Sequence, residues 1–154
     1  SMNNSRKEEP YEMNSCHRIK KYIKILVVDD DSNSTKLLKL VLESFGFEVV
    51  ISTDGREGLE LASSELPDVI ILDVRMPNLN GWQVCERLKR SPKTKPIPVI
   101  FFTAYSQKTD SEKSKRLGAE LFLNKPLDPE ELVPKIWEII DKDNKYQSEG
   151  EKWE

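Results

Sequence analysis

Unbroken apolar runs recur through the middle of the chain, and between them the apolar positions thin out to every third or fourth residue. Ile23 to Val28 is the first run, and Leu37, Leu38, Val41, Leu42 and Phe45 follow at the spacing of one helix face. Gly46 stops that helix, and Phe47 to Ile51 reads as the second strand. Leu59, Ala62 and Leu66 mark a second helix, ended by Pro67, before the short and wholly apolar strand Val69 to Leu72. A turn-rich MPNLNG leads into a helix through Trp82, Val84, Cys85 and Leu88. Val99 to Phe102 and Leu121 to Leu123 supply two more strands. The last helix is expected from Asp128-Pro129, with Glu131 three residues past the cap, and Pro134 predicts a kink or a late start.

Five strands alternating with five helices across short loops predict an α/β fold, a doubly wound five-stranded parallel sheet covered on both faces. One segment breaks the pattern. Ser106 to Arg116 has almost no apolar face, so a helix there would rest on Ala104, Leu117 and Ala119 and be loosely held. Both ends of the chain are polar, which sets an ordered domain over 22–141 between a 1–21 tail and a 142–154 tail, each weakly structured or lightly docked. Ser1 ahead of Met2 reads as a remnant of tag removal and is set aside.

Composition narrows the function classes. The 154 residues fit one domain, and 37% hydrophobic against 33% charged leaves a modest core. A net charge of −3 gives no support to direct nucleic-acid binding. No apolar stretch approaches the ~20 residues that span a bilayer, and no secretory signal is expected from the polar first residues. Cys16 and Cys85 are too few and too scattered for a disulfide framework or a zinc site, so a cytoplasmic location is expected. The thirteen residues after Asp141 are not expected to form a further folded domain.

Candidate chemistry lies where the strands end. The first run is followed by Asp29, Asp30 and Asp31, the third by Asp73, the fourth by Thr103 and the fifth by Lys125. The intervals are 43 residues from Asp30 to Asp73, 30 on to Thr103 and 22 on to Lys125, each one or two strand–helix units. In an open parallel sheet such ends converge on one edge, where ligands bind. Clustered carboxylates repel unless a cation sits among them, and all-oxygen donors suit Mg²⁺, with Mn²⁺ possible. A divalent ion beside a carboxylate, a hydroxyl and a lysine is a place to receive a phosphoryl group, with Asp73 as nucleophile.

VVDD, ILDVRMP, FFTA and LNKP, in this order and spacing over about 23–141, resemble the receiver domain of two-component response regulators. The resemblance implies a flavodoxin-like (βα)5 fold with strand order 2-1-3-4-5. It implies Asp73 as phosphoacceptor, with Mg²⁺ held by Asp30, Asp73 and the backbone carbonyl of Arg75, and by Asp29 through water. Thr103 would bond the phosphoryl group, Lys125 would pair with it ahead of a cis Lys-Pro peptide, and Phe122 would be the aromatic switch. The implied donor is a histidine kinase or histidine phosphotransfer protein, and the implied state a monomer or a phosphorylation-dependent homodimer. Arg75 and Asn124 depart from the commonest pattern, yet neither removes a required group.

Plainer readings stand beside these. Asp31-Ser32 reads as a helix cap, Phe122 could be ordinary core, and Cys16 and His17 carry no function. Two alternatives are a haloacid-dehalogenase-like phosphatase and an unphosphorylated interaction module. The first would take Asp29 and Asp31 as a D-x-D start, but Asn33 stands where its threonine or valine belongs.

Overall fold

Each apolar run becomes a strand. The computed structural model describes residues 22–104 and 106–152, those from 143 onward by backbone alone; Cys16 and His17 lie outside the described residues. β1 (Lys24–Val28), β2 (Glu48–Ser52), β3 (Val69–Leu72), β4 (Val99–Thr103) and β5 (Leu121–Asn124) form one five-stranded sheet in the order β2-β1-β3-β4-β5. All four pairings are parallel. Between the strands run α1 (Ser32–Ser44), α2 (Gly55–Glu65), α3 (Gly81–Arg90) and α4 (Asp110–Arg116), and α5 (Pro129–Lys152) follows β5.

Alternation along the strands divides the core in two. Ile25, Val27, Ile71, Ile100 and Phe102 face one way and pack with Leu42 of α1 and with Leu132, Ile136 and Ile140 of α5. Leu26, Val28, Ile70, Leu72, Val99 and Phe101 face the other way and pack with Ala62 of α2 and with Val84, Cys85 and Leu88 of α3. Both faces of the central strands are therefore dry, which is why their sequences read as unbroken apolar runs. Cys85 belongs to this second layer, and burial pushes its thiol up to about 11.

At the end of the sheet opposite the strand carboxyl termini, Lys24 adds side-chain ties to the backbone pairing. The Lys24 ammonium lies 2.8 Å from Glu65 Oε1 and 3.8 Å from Glu48 Oε2, while its backbone N–H donates to Asp68 Oδ2 at 2.8 Å. One lysine thus ties β1 to β2, to the end of α2 and to the turn before β3.

Four expectations change. Leu37 and Phe45 share the apolar periodicity of α1 but are 64% and 46% exposed, and so is Leu40 at 67%. The apolar arc of α1 is wider than the strip of sheet available to it, so only part of it is covered. α4 is seven residues long and begins at Asp110, with Ser114 its one buried residue. With no apolar face to nucleate on, the chain from Ser106 stays irregular, held by Ser106 Oγ donating to Asn124 Oδ1 at 2.7 Å and by the Gln107 N–H donating to Asp110 Oδ2 at 2.8 Å. α5 starts at Pro129 and continues through Pro134, so the late start does not occur. Burial of Leu132, Val133 and Ile136 offsets the one intrahelical bond that the ring removes. Finally, α5 runs on to Lys152, where polarity predicted a tail beyond Asp141. An existing helix propagates without a new nucleation cost, so its backbone does not need an apolar period to continue.

Candidate functional site

Hydrogen bonds that continue the sheet one residue past the strands set the polar groups in place. The Asp29 N–H donates to Ser52 O at 3.0 Å, the Asp73 N–H to Val28 O at 2.9 Å, and the Lys125 N–H to Thr103 O at 2.8 Å. Backbone pairing thereby fixes these three residues at one edge before their side chains interact. The Lys125–Pro126 peptide is cis.

Carboxylate oxygens of Asp29, Asp30 and Asp73 lie within 4.8 Å of one another. Asp29 is buried, Asp73 half-buried and Asp30 exposed. Asp29 accepts the Asp31 N–H at 3.0 Å and the Lys125 ammonium at 2.6 Å. Lys125 Nζ is also 3.9 Å from Asp73 Oδ2, so one cation faces two acids from the buried side. Asp73 Oδ1 accepts the Val74 N–H at 2.7 Å. Thr103, 1% exposed, completes the group from the end of β4. Asp31 stays apart: its carboxylate accepts the N–H groups of Asn33 and Ser34 and caps α1. Asp31, which the D-x-D reading pairs with Asp29, is thus engaged as a helix cap.

Burial raises the Asp73 pKa above the ordinary carboxylate value, and the neighbouring Asp29 charge raises it further. A hydrogen bond with Thr103, the Lys125 charge and the Val74 amide oppose the rise without cancelling it. The metal-free fold therefore holds a proton on Asp73 more readily than the unfolded chain does. Stability from this group is present below the ordinary carboxylate pKa and is lost as pH rises through the raised one. Asp73→Asn is expected to give a higher urea midpoint than the parent at neutral pH in chelator, and the gap should close on acidification. Equal midpoints across that range would contradict the electrostatic account.

The donor set fits a hard divalent cation. Its ligands are all oxygen, three acids face one lysine, and among the described residues this is the one cluster of such groups close enough to share an ion. Arg75, exposed, lines with Asp30 and Trp82 an open cleft of about 540 Å³ beside the cluster. On the other side, Asp29, Asp73 and Lys125 reach an apolar cleft of about 280 Å³ between α1 and the start of α5, with Leu37 and Leu38 among its walls.

Two features beneath the site were not read from sequence as part of it. Gly81 lies against the loop that carries Asp73: a Cβ there would stand 2.0 Å from the Asp73 carbonyl oxygen and 2.8 Å from Val74 Cα. Trp82 forms an aromatic group with Phe101 and the half-buried Phe122. The signal for both was Asn80-Gly81 as a helix start, since a helix beginning just after a site-bearing loop must touch that loop.

Residues 25–137 match the response regulator receiver domain family. Protein PilH of Pseudomonas aeruginosa is 41% identical over 117 residues, covering 76% of this chain and 97% of PilH. The alkaline phosphatase synthesis transcriptional regulatory protein PhoP of Bacillus subtilis is 37% identical over 117 residues, 76% of this chain but 48% of PhoP. The chain thus spans about half the length of several curated relatives that it matches. Among solved structures, a CheY-like response regulator receiver domain protein from Methanospirillum hungatei superposes with a TM-score of 0.77 at 29% identity, covering 82% of this chain and 99% of that one. The chemotaxis protein CheY4 of Vibrio cholerae gives 0.73 at 30% identity, covering 77% and 98%.

Proposed function

Because the chain belongs to the response regulator receiver domain family, a signalling module of two-component systems, we propose that Asp73 accepts a phosphoryl group from a phosphohistidine of a sensor kinase or phosphotransfer protein. The observation that carries this reading is the convergence of Asp29, Asp30, Asp73, Thr103 and Lys125 from four strand ends on one edge. In the proposed reaction a carboxylate oxygen of Asp73 attacks phosphorus in line with the bond to the donor nitrogen, which breaks and leaves its electron pair on the donor imidazole. The Lys125 ammonium and the Thr103 hydroxyl stabilise the phosphoryl oxygens as charge builds on them. Asp30, Asp73 and the Arg75 carbonyl would hold Mg²⁺, with Asp29 acting through water. When bound, the ion neutralises phosphoryl and carboxylate charge together. The aspartyl phosphate would then bias a two-state equilibrium through Thr103 and Phe122 and alter the α4 face, where a downstream protein binds. Moving such an equilibrium from 1:99 to 99:1 takes about 5.5 kcal/mol. One charge-assisted contact gives about 1.5–3 kcal/mol, so the lysine, the threonine and the cation must act together.

The chain carries no other catalytic role in this reading, only its own phosphorylation and dephosphorylation. Incubation with Mg²⁺ and acetyl phosphate or phosphoramidate should add ~80 Da, and Asp73→Asn should prevent it. An adduct that survives Asp73→Asn would overturn the assignment.

Exposed Leu37, on the wall of the α1–α5 cleft that reaches Asp73, supports this face as the landing surface for the protein donor. Leu37→Ala is expected to slow transfer from the cognate phosphodonor about tenfold while leaving the small-donor reaction unchanged. Equal losses with both donors would instead mean that Leu37 matters to the site or the fold.

A further inference from the structure

Trp82 stands in the first turn of α3, whose start is fixed by a reciprocal cap: Asn80 Oδ1 accepts the Gln83 N–H at 3.0 Å and Gln83 Oε1 accepts the Asn80 N–H at 2.9 Å. Three groups meet its indole. Phe101, fully buried on a central strand, approaches at a tilt of 53° with 4.8 Å between ring centres. Phe122, on the edge strand β5, lies parallel to it at 6.2 Å, with 6° between the planes. The ammonium of Lys113, on α4, sits 4.7 Å from the centre of the ring.

These neighbours differ in how firmly they are held. Phe101 is fully buried in the layer between the sheet and α2 and α3. Phe122 lies at the edge of the sheet and is half-buried. Lys113 belongs to a helix whose one buried residue is Ser114, so few apolar contacts oppose its displacement. A parallel offset stack and a cation over a ring both depend on ring orientation. Turning Phe122 away breaks the stack, frees the indole to tilt and removes the surface on which the ammonium rests.

We propose that Trp82 is a positioning residue that couples the orientation of Phe122 to the seating of α4, through the Phe122–Trp82 stack and the Lys113–Trp82 cation–π contact. This rests on the reading above, in which a phosphoryl group on Asp73 acts through Thr103 and Phe122. It adds a defined route from β5 to α4, a helix with too little apolar surface to follow by packing alone. Phe101 also meets Phe122, at 6.2 Å between ring centres, but it is fully buried and the Lys113 ammonium rests on Trp82.

The test uses the full chain carrying fluorotryptophan, with Mg²⁺ and beryllofluoride as the phosphoryl mimic. One fluorine NMR spectrum reports both the bound mimic and the indoles, and the Trp82 signal is the one missing in Trp82→Phe. Binding of the mimic is expected to shift the Trp82 signal and to speed amide exchange in α4 by about two- to fivefold, the range of an exposed cation–π contact. Lys113→Met keeps the apolar stem, and should displace the Trp82 signal and speed α4 exchange by the same factor without the mimic. Lys113→Arg should restore both. A bound-mimic resonance with an unmoved Trp82 signal would overturn the coupling and leave the phosphorylation reading standing. Unchanged α4 exchange in Lys113→Met would overturn it as well. Failure of the mimic to bind would overturn the phosphorylation reading, and the coupling with it.

Discussion

Replacing Lys125 with methionine is expected to slow phosphorylation of Asp73 by about 10²–10³-fold at saturating Mg²⁺, the cost of losing one preorganised charge aimed at a developing anion. Lys125 Nζ is 2.6 Å from Asp29 Oδ2 and 3.9 Å from Asp73 Oδ2, so a phosphoryl group arriving at Asp73 meets an ammonium already in place. Methionine keeps an unbranched stem and removes only the charge. Affinity for Mg²⁺ should not fall, because the three acids lose a competing cation and keep their oxygens. A slower reaction could then not be blamed on an empty metal site. The rate of adduct formation with a small donor checks this, and a change of less than about threefold would remove Lys125 from the proposed mechanism.

Gly81→Ala is expected to cost about 3 kcal/mol of stability, at the upper end for overpacking. The added carbon would stand 2.0 Å from the Asp73 carbonyl oxygen, and the next nearest atom is also backbone, so no side chain can swing aside. Retreat of the helix start is opposed by the Gly81 N–H donating to Val74 O at 2.8 Å. Relief must come from the loop carrying Asp73, so phosphorylation should slow along with the loss of stability. Urea unfolding measures the first effect and the small-donor rate the second. A loss below about 1 kcal/mol would show that the loop yields easily.

Sequence alone made the sheet legible because β1, β3 and β4 are dry on both faces, which leaves unbroken apolar runs that no surface element imitates. The site was legible for a related reason: Asp29, Asp73, Thr103 and Lys125 interrupt those runs at their ends, where polarity has no structural need. α1 was legible only in part. Periodicity showed an apolar arc through Leu37, Leu42 and Phe45, but the width of sheet left to cover it depends on the packing of α1 against α5. Gly81 was hidden because a close approach between backbones separated in sequence leaves no mark except the absence of a side chain. Trp82 was visible as a residue but not as a neighbour of Phe122, since that contact depends on how side chains of α3 and β5 meet over Phe101, which strand order alone does not fix.

Lys24 gives the molecule an axis of unequal firmness. At its end of the sheet, attractive pairs with Glu65 and Glu48 join the Asp68 bond in closing β1 against its neighbours. At the other end three like charges are forced together around one lysine. Like-charge repulsion is thus confined to the rim, while the base pairs opposite charges. The register of the strands is thereby anchored by attractive pairs far from the charges that crowd the rim.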